Sequence, residues 1–143
     1  MAKQKPENRM ISRIKPHWEA AGFYIEKTNN PYLSGPPDLY VERAVNRVGW
    51  VEAKFWSRKS IPEADESSQR YIEAMLSPHQ EIWLRRAQKN GVPVAMLCGF
   101  QNPKQFFFFE PFLYKLYQPL TYEQLVVETI KWIETSDGYG TGD

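Results

Sequence analysis

The 143-residue chain has one cysteine, Cys98, and two histidines, His17 and His79. A lone thiol excludes an intramolecular disulfide framework and a cysteine-based zinc knuckle. Two imidazoles cannot build a histidine-rich metal site by themselves. Long apolar runs are also missing: FFFF at 106–109 is far too short to span a membrane. The amino-terminal stretch MAKQKPENRM has no apolar signal core, so the expected location is a reducing cytoplasm. Neither sign of charge dominates, with 18 Lys+Arg against 17 Asp+Glu. That balance argues against an extended basic arm or a polyacidic tail. There is no internal repeat and no linker that would split the chain.

What is present is ordinary for a globular domain: 42% hydrophobic and 24% charged residues, with aromatics high at 15%. The length fits a single domain over 1–135, with a core at about 7–110, an extension at 105–135 and a frayed tail at 136–143. The near-zero charge is an average. Residues 1–59 carry +5, residues 60–104 are neutral, and residues 105–143 carry −4. An anionic partner on one face is consistent with that split, and so is scatter of solvated charge.

Met10, Ile11, Ile14, Trp18 and Ala21 recur at helical spacing, with Pro16 as an interruption that kinks or restarts the helix and Gly22 as its stop. Phe23 to Ile25 reads as a strand, 29–37 as a loop with three prolines, and Leu39 to Val41 as a second strand. Val48 to Phe55 alternates as a third, joined to the second by a hairpin near Asn46. Residues 57–70 read as a loop and 71–76 as a short helix. Ser77-Pro78-His79-Gln80 is a capping box opening a helix that Gly91 ends. Val92 to Phe100 and Phe106 to Phe109 read as strands, and Thr121 caps a last helix ending near Ile133. The order is α-β-β-β-α-β, then a strand and a helix: an α/β or α+β domain with a mixed sheet.

Pro37-Asp38 opens the second predicted strand, and Glu52-Ala53-Lys54 lies within the third. Residues two apart on a strand share a face, so Glu52 and Lys54 project together. Asp38 approaches that face across the hairpin. Two carboxylates beside an ammonium suit metal-assisted phosphodiester hydrolysis. Hard oxygen ligands hold Mg²⁺, the metal activates water, and the lysine offsets transition-state charge. The alternative reading is a turn aspartate and a surface ion pair.

These residues resemble the PD-(D/E)XK nuclease superfamily, and their order resembles its virus-type replication-repair (VRR-NUC) and Holliday-junction-resolvase-like branch. The pieces are Gly22, Gly35-Pro36-Pro37-Asp38, Glu52-Ala53-Lys54, Leu76-Ser77-Pro78-His79-Gln80, Gly91, and the strand Val92 to Cys98. The resemblance implies a restriction-endonuclease-like αβββαβ core. It implies Asp38, Glu52 and the Ala53 carbonyl as ligands of Mg²⁺ or Mn²⁺, Lys54 as the catalytic lysine, and Gln80 beside it. Glu7 is the candidate for an acidic residue on the first helix, with Glu19 and Glu26 as rivals. The long segment 56–76 departs from the pattern and is a candidate substrate loop.

The implied activity is a structure-specific DNA endonuclease of phage or bacterial origin, acting on Holliday junctions or branched DNA in replication, recombination or repair. Symmetric junction cleavage needs two sites, hence a homodimer. A nickase or restriction-like enzyme on the same fold, an inactive nuclease-fold binding protein and an RNA-directed nuclease are the alternatives. Arg58, Lys59, Arg70, Arg85, Arg86 and Lys89 are candidate phosphate contacts. Tyr32, Trp83 and His79 are weaker candidates for substrate contact, Cys98 is expected to be inert core, and Phe106 to Phe109 an inner strand or interface.

Overall fold

The computed structural model describes residues 5–28, 35–58, 66–113 and 118–135. In chain order the elements are α1 (Pro6–Ala20), β1 (Tyr24–Lys27), β2 (Leu39–Ala44), β3 (Arg47–Trp56), α2 (Glu66–Glu73), α3 (Pro78–Lys89), β4 (Val94–Phe100), β5 (Phe106–Phe109) and α4 (Tyr122–Thr135). The expected αβββαβ order is present as α1, β1, β2, β3, α3, β4, with α2 added ahead of α3. The sheet runs β1-β2-β3-β4-β5. Only β3 and β4 pair in parallel, so the sheet is mixed.

Period-two alternation on β3 divides the molecule. Val51 and Ala53 pack with Met10, Ile11, Ile14 and Trp18 of α1 and with Leu125, Trp132 and Ile133 of α4. Trp56, with Met96, Cys98 and Phe100 of β4, packs on Ile72 of α2, while Trp50 lies against the Leu84 and Ala87 layer of α3. Helices therefore cover both faces. Phe106 to Phe109, on an edge strand, are all buried because alternate rings enter the two cores. Polar atoms inside the larger core are paired: Trp18 Nε1 donates to Thr129 Oγ1 at 3.1 Å, and Trp132 Nε1 to the Val94 carbonyl at 3.2 Å.

Both predicted glycine stops are made. Gly22 (φ +92°) and Gly91 (φ +78°) sit beyond the ends of α1 and α3, in the left-handed region that favours glycine. In each case the next residue's N–H reaches back to a carbonyl one turn inside, Phe23 to Trp18 and Val92 to Ala87, which closes a Schellman motif. Asn46 (φ +64°) makes the β2–β3 turn.

Two local expectations are corrected. Pro16 does not interrupt α1, which runs unbroken from Pro6 to Ala20. The ring removes a donor to the Ser12 carbonyl, but both residues are exposed, so water can serve that carbonyl. Loop 57–70 and helix 71–76 are also wrong in their bounds. The helix starts by Glu66 and ends at Glu73, with Ser68, Gln69 and Ile72 facing inward. Stacking of Tyr71 on Trp56, centroids 4.5 Å apart, and a Gln69 Nε2 bond to the Leu113 carbonyl at 2.8 Å hold this polar segment on the sheet.

Candidate active site

The β2–β3 pairing ends at Leu39–Val51, so Asp38 and Glu52 follow as neighbours where the two strands part. Asp38 Oδ2 accepts the Ala53 N–H at 2.9 Å, replacing a backbone acceptor. In this ladder geometry a residue's N–H and C=O point to the same edge, so the Ala53 carbonyl also faces the Asp38 side. Thr28, just beyond β1, steadies Asp38. Its N–H donates to the Asp38 carbonyl at 2.8 Å, and its hydroxyl donates to the Pro37 carbonyl.

Glu52 is 1% exposed. Its Oε2 accepts from Gln80 Nε2 at 3.1 Å and lies 3.3 Å from Lys54 Nζ. Its Oε1 is buried and has no hydrogen-bond partner among the described residues. Burial raises the Glu52 pKa from 4.5 to about 8; the neighbouring Asp38 carboxyl raises it too, and the Lys54 ammonium opposes the rise.

Gln80 joins this cluster to the start of α3. Its Oε1 accepts from Lys54 Nζ at 3.0 Å and from the Ser77 N–H at 2.9 Å, while its own N–H donates to Ser77 Oγ at 3.2 Å. The capping box therefore shares an oxygen with the site. Reversing the amide would set its NH₂ against two donors, so one orientation satisfies the network.

The donor chemistry suits a hard divalent cation: two neighbouring carboxyl groups, one of them buried with an unsatisfied oxygen, and a backbone carbonyl on the same edge. Among the described residues no three His, Cys, Asp or Glu side chains gather as a metal cluster. Glu7 thus does not join Asp38 and Glu52. It lies in the first turn of α1, whose buried side chains pack on the opposite face of β3. Glu19 is in the last turn of α1, and Glu26 pairs with Tyr40 in the sheet, where Tyr24 donates to it.

The basic candidates are dispersed. Arg58 lies over Trp56 at 5.0 Å, Arg86 over Trp83 at 5.1 Å, and Arg85 over Phe112 at 3.9 Å while pairing with Glu81 at 3.5 Å. Arg70 and Lys89 are exposed on α2 and α3. Lys59 and Tyr32 lie outside the described residues, as does the tail 136–143. The His79 side chain is exposed. Cys98 is fully buried and its thiol pKa is pushed up to about 12 by that burial, as an inert core thiol requires.

Sequence reasoning missed Thr28, which carries no local signal because its partners lie across the sheet. Of an aromatic wall it singled out Trp83 alone. Tyr40, Trp50 and Trp83 pack edge to face at 5.2 and 5.4 Å, and Trp50 shares its face of β3 with Glu52. Alternation on β3 placed Trp50 on that face; the partner rings needed the fold.

Several solved structures are similar to this chain, among them the following two. One is a VRR_NUC domain. It is 26% identical, with 68% of this chain and 87% of that chain covered and a TM-score of 0.47. The other is Archaeoglobus fulgidus Hjc, a Holliday junction resolvase from an archaeal hyperthermophile, 17% identical, covering 85% and 92% of the two chains with a TM-score of 0.49. The sequence matches no protein-family model and no curated protein.

Proposed function

We propose that this protein is a divalent-metal-dependent DNA endonuclease that hydrolyses phosphodiester bonds in branched or junction DNA. The observation that carries the reading is the convergence of Asp38, Glu52, Lys54 and Gln80, with Glu52 Oε1 buried and unsatisfied. Asp38, Glu52 and the Ala53 carbonyl would hold Mg²⁺ or Mn²⁺. When bound, the cation supplies Lewis acidity to the phosphate and a nucleophilic water near neutral pH.

The chain's own residues do the rest. Lys54, held by Gln80 and Glu52, presents its ammonium to the attacking water and to the oxygens that gain charge. Gln80 fixes both neighbours through one amide. Asp38 is pre-set by its bond to Ala53 and by Thr28. The preference for branched DNA rests on the order of motifs, which resembles that of the VRR-NUC and Holliday-junction-resolvase-like branch. Two cuts per junction call for a homodimer, which sedimentation would reveal.

The test is incubation of the full chain with Mg²⁺ or Mn²⁺ and four-way junction, flap, nicked and linear DNA, with Lys54→Ala beside it. Metal-dependent cutting of branched DNA, lost in Lys54→Ala, is expected. Equal cutting of all substrates would remove the structural preference, and retained activity in Lys54→Ala would remove the mechanism. Binding without cleavage at any metal concentration would leave a nuclease-fold binding protein.

A further inference from the structure

A groove opens where β3 and β4 end side by side at the Trp56–Phe100 pair. Its volume is about 520 Å³, and its walls are Pro6, Arg9 and Arg13 of α1, Phe55 of β3, and Gln101 and Pro103 beyond β4. Met10 and Phe100, both nearly buried, form its floor. Among the described residues no acidic side chain lines it. Arg9 and Arg13 are exposed, stand one helical turn apart, and have no side-chain hydrogen bond or ion pair among the described residues. Glu7, in the same region of α1, pairs with neither. Like charges at this spacing repel, so the pair favours an anion between them.

Phe55 is half-buried and follows Lys54 directly, with its side chain on the other face of β3. At about 3.3 Å per residue, Phe55 lies within ~10 Å of Glu52 along the strand. The groove and the carboxylate pair thus lie on opposite faces of the same strand. The space takes a nucleotide unit, not a duplex. An aromatic ring stacks only on a base whose face is free, which means an unpaired strand.

We infer that this groove binds an unpaired DNA strand, with Arg9 and Arg13 on phosphates and Phe55 against a base. The inference rests on the nuclease reading and narrows its substrate to DNA carrying a single-stranded arm. Gln101 serves the edge: its Nε2 is held by Ser57 Oγ at 3.1 Å, which leaves its amide oxygen to a base or sugar.

The experiment is fluorescence anisotropy of the full chain in EDTA with two labelled DNAs, a blunt duplex and the same duplex with a single-stranded tail. The unmodified protein should bind the tailed DNA at least tenfold tighter. Arg9→Gln with Arg13→Gln should abolish that preference and lower the salt slope on tailed DNA by about 1.4, the change expected for two lost single-strand phosphate contacts. Phe55→Leu should weaken tailed binding about tenfold and leave blunt binding within twofold. The inference is overturned if the unmodified protein does not prefer the tail, or if the arginine variant weakens both DNAs alike. Both arginines are exposed, so that variant stays informative even if Phe55→Leu fails to fold. Because no metal is present, this result is read separately from cleavage: a protein that cuts branched DNA without preferring tails refutes the groove alone, and one that prefers tails but cuts nothing refutes the nuclease reading.

Discussion

Glu52 is buried beside a second carboxyl, and the consequence is a proton. With its pKa at about 8, it is mostly protonated at neutral pH when no cation is present. A divalent ion requires the carboxylate, so binding must release that proton. Calorimetry with Mn²⁺ at pH 6.5, run in two buffers of different ionisation enthalpy, should show release of close to one proton. Affinity should rise up to tenfold per pH unit until about pH 8, and Glu52→Gln should show neither effect. Proton-independent Mn²⁺ binding would exclude Glu52 as a ligand. This residue pair was readable from the sequence because the two-residue period of a strand aligns Glu52 with Lys54. The pKa was not, because it depends on α3 and β4 covering Glu52 and on Asp38 standing beside it.

At the scale of elements, α3 and the site share Gln80. Its cap role and its site role can be separated, since glutamate also fills the third position of a capping box. Gln80→Glu should leave stability within ~0.5 kcal/mol while setting a third carboxylate against Glu52. Cleavage by this variant should fall at least tenfold, with thermal unfolding as the control. Unchanged cleavage would reduce Gln80 to a helix cap. Between sheet and helix, Gly49 meets α4 so closely that an added Cβ would lie 2.6 Å from the Trp132 ring. Gly49→Ala should therefore cost about 1–3 kcal/mol in urea unfolding; a smaller loss would mean that α4 shifts freely. The capping box and both glycine stops were legible because their partners lie within a few residues. Pro16 within α1 and the true span of α2 were not. Solvent access in one case and the Tyr71–Trp56 stack in the other decided them.

For the whole molecule, the raised Glu52 pKa sets a pH trend. The folded state holds this proton more tightly than the unfolded chain. The stability tied to it is full below about pH 4.5 and is lost as pH rises through about 8. In metal-free urea titrations, Glu52 should contribute a fall of at most ~1.4 kcal/mol per pH unit across that window. Glu52→Gln should flatten the trend, and Mn²⁺ should reverse the loss at pH 8. An equal slope in Glu52→Gln would assign the trend to other groups. The +5 charge on residues 1–59 divides at the same scale: Asp38, Glu52 and Lys54 on one side of β3, Arg9 and Arg13 on the other.

The sequence by itself determined the strand period that pairs Glu52 with Lys54, the turn at Asn46, the cap at Ser77 and the stops at Gly22 and Gly91. Each depends on contacts within about one turn or one strand step, where residue type dictates geometry. Only the tertiary structure decided that Thr28 holds Asp38, that Gln80 bridges Lys54 and Glu52, that Glu7 lies apart from the carboxylate pair, and that Arg9 and Arg13 meet Phe55. Those juxtapositions join residues 10 to about 50 positions apart, and only the packed sheet and helices fix such distances.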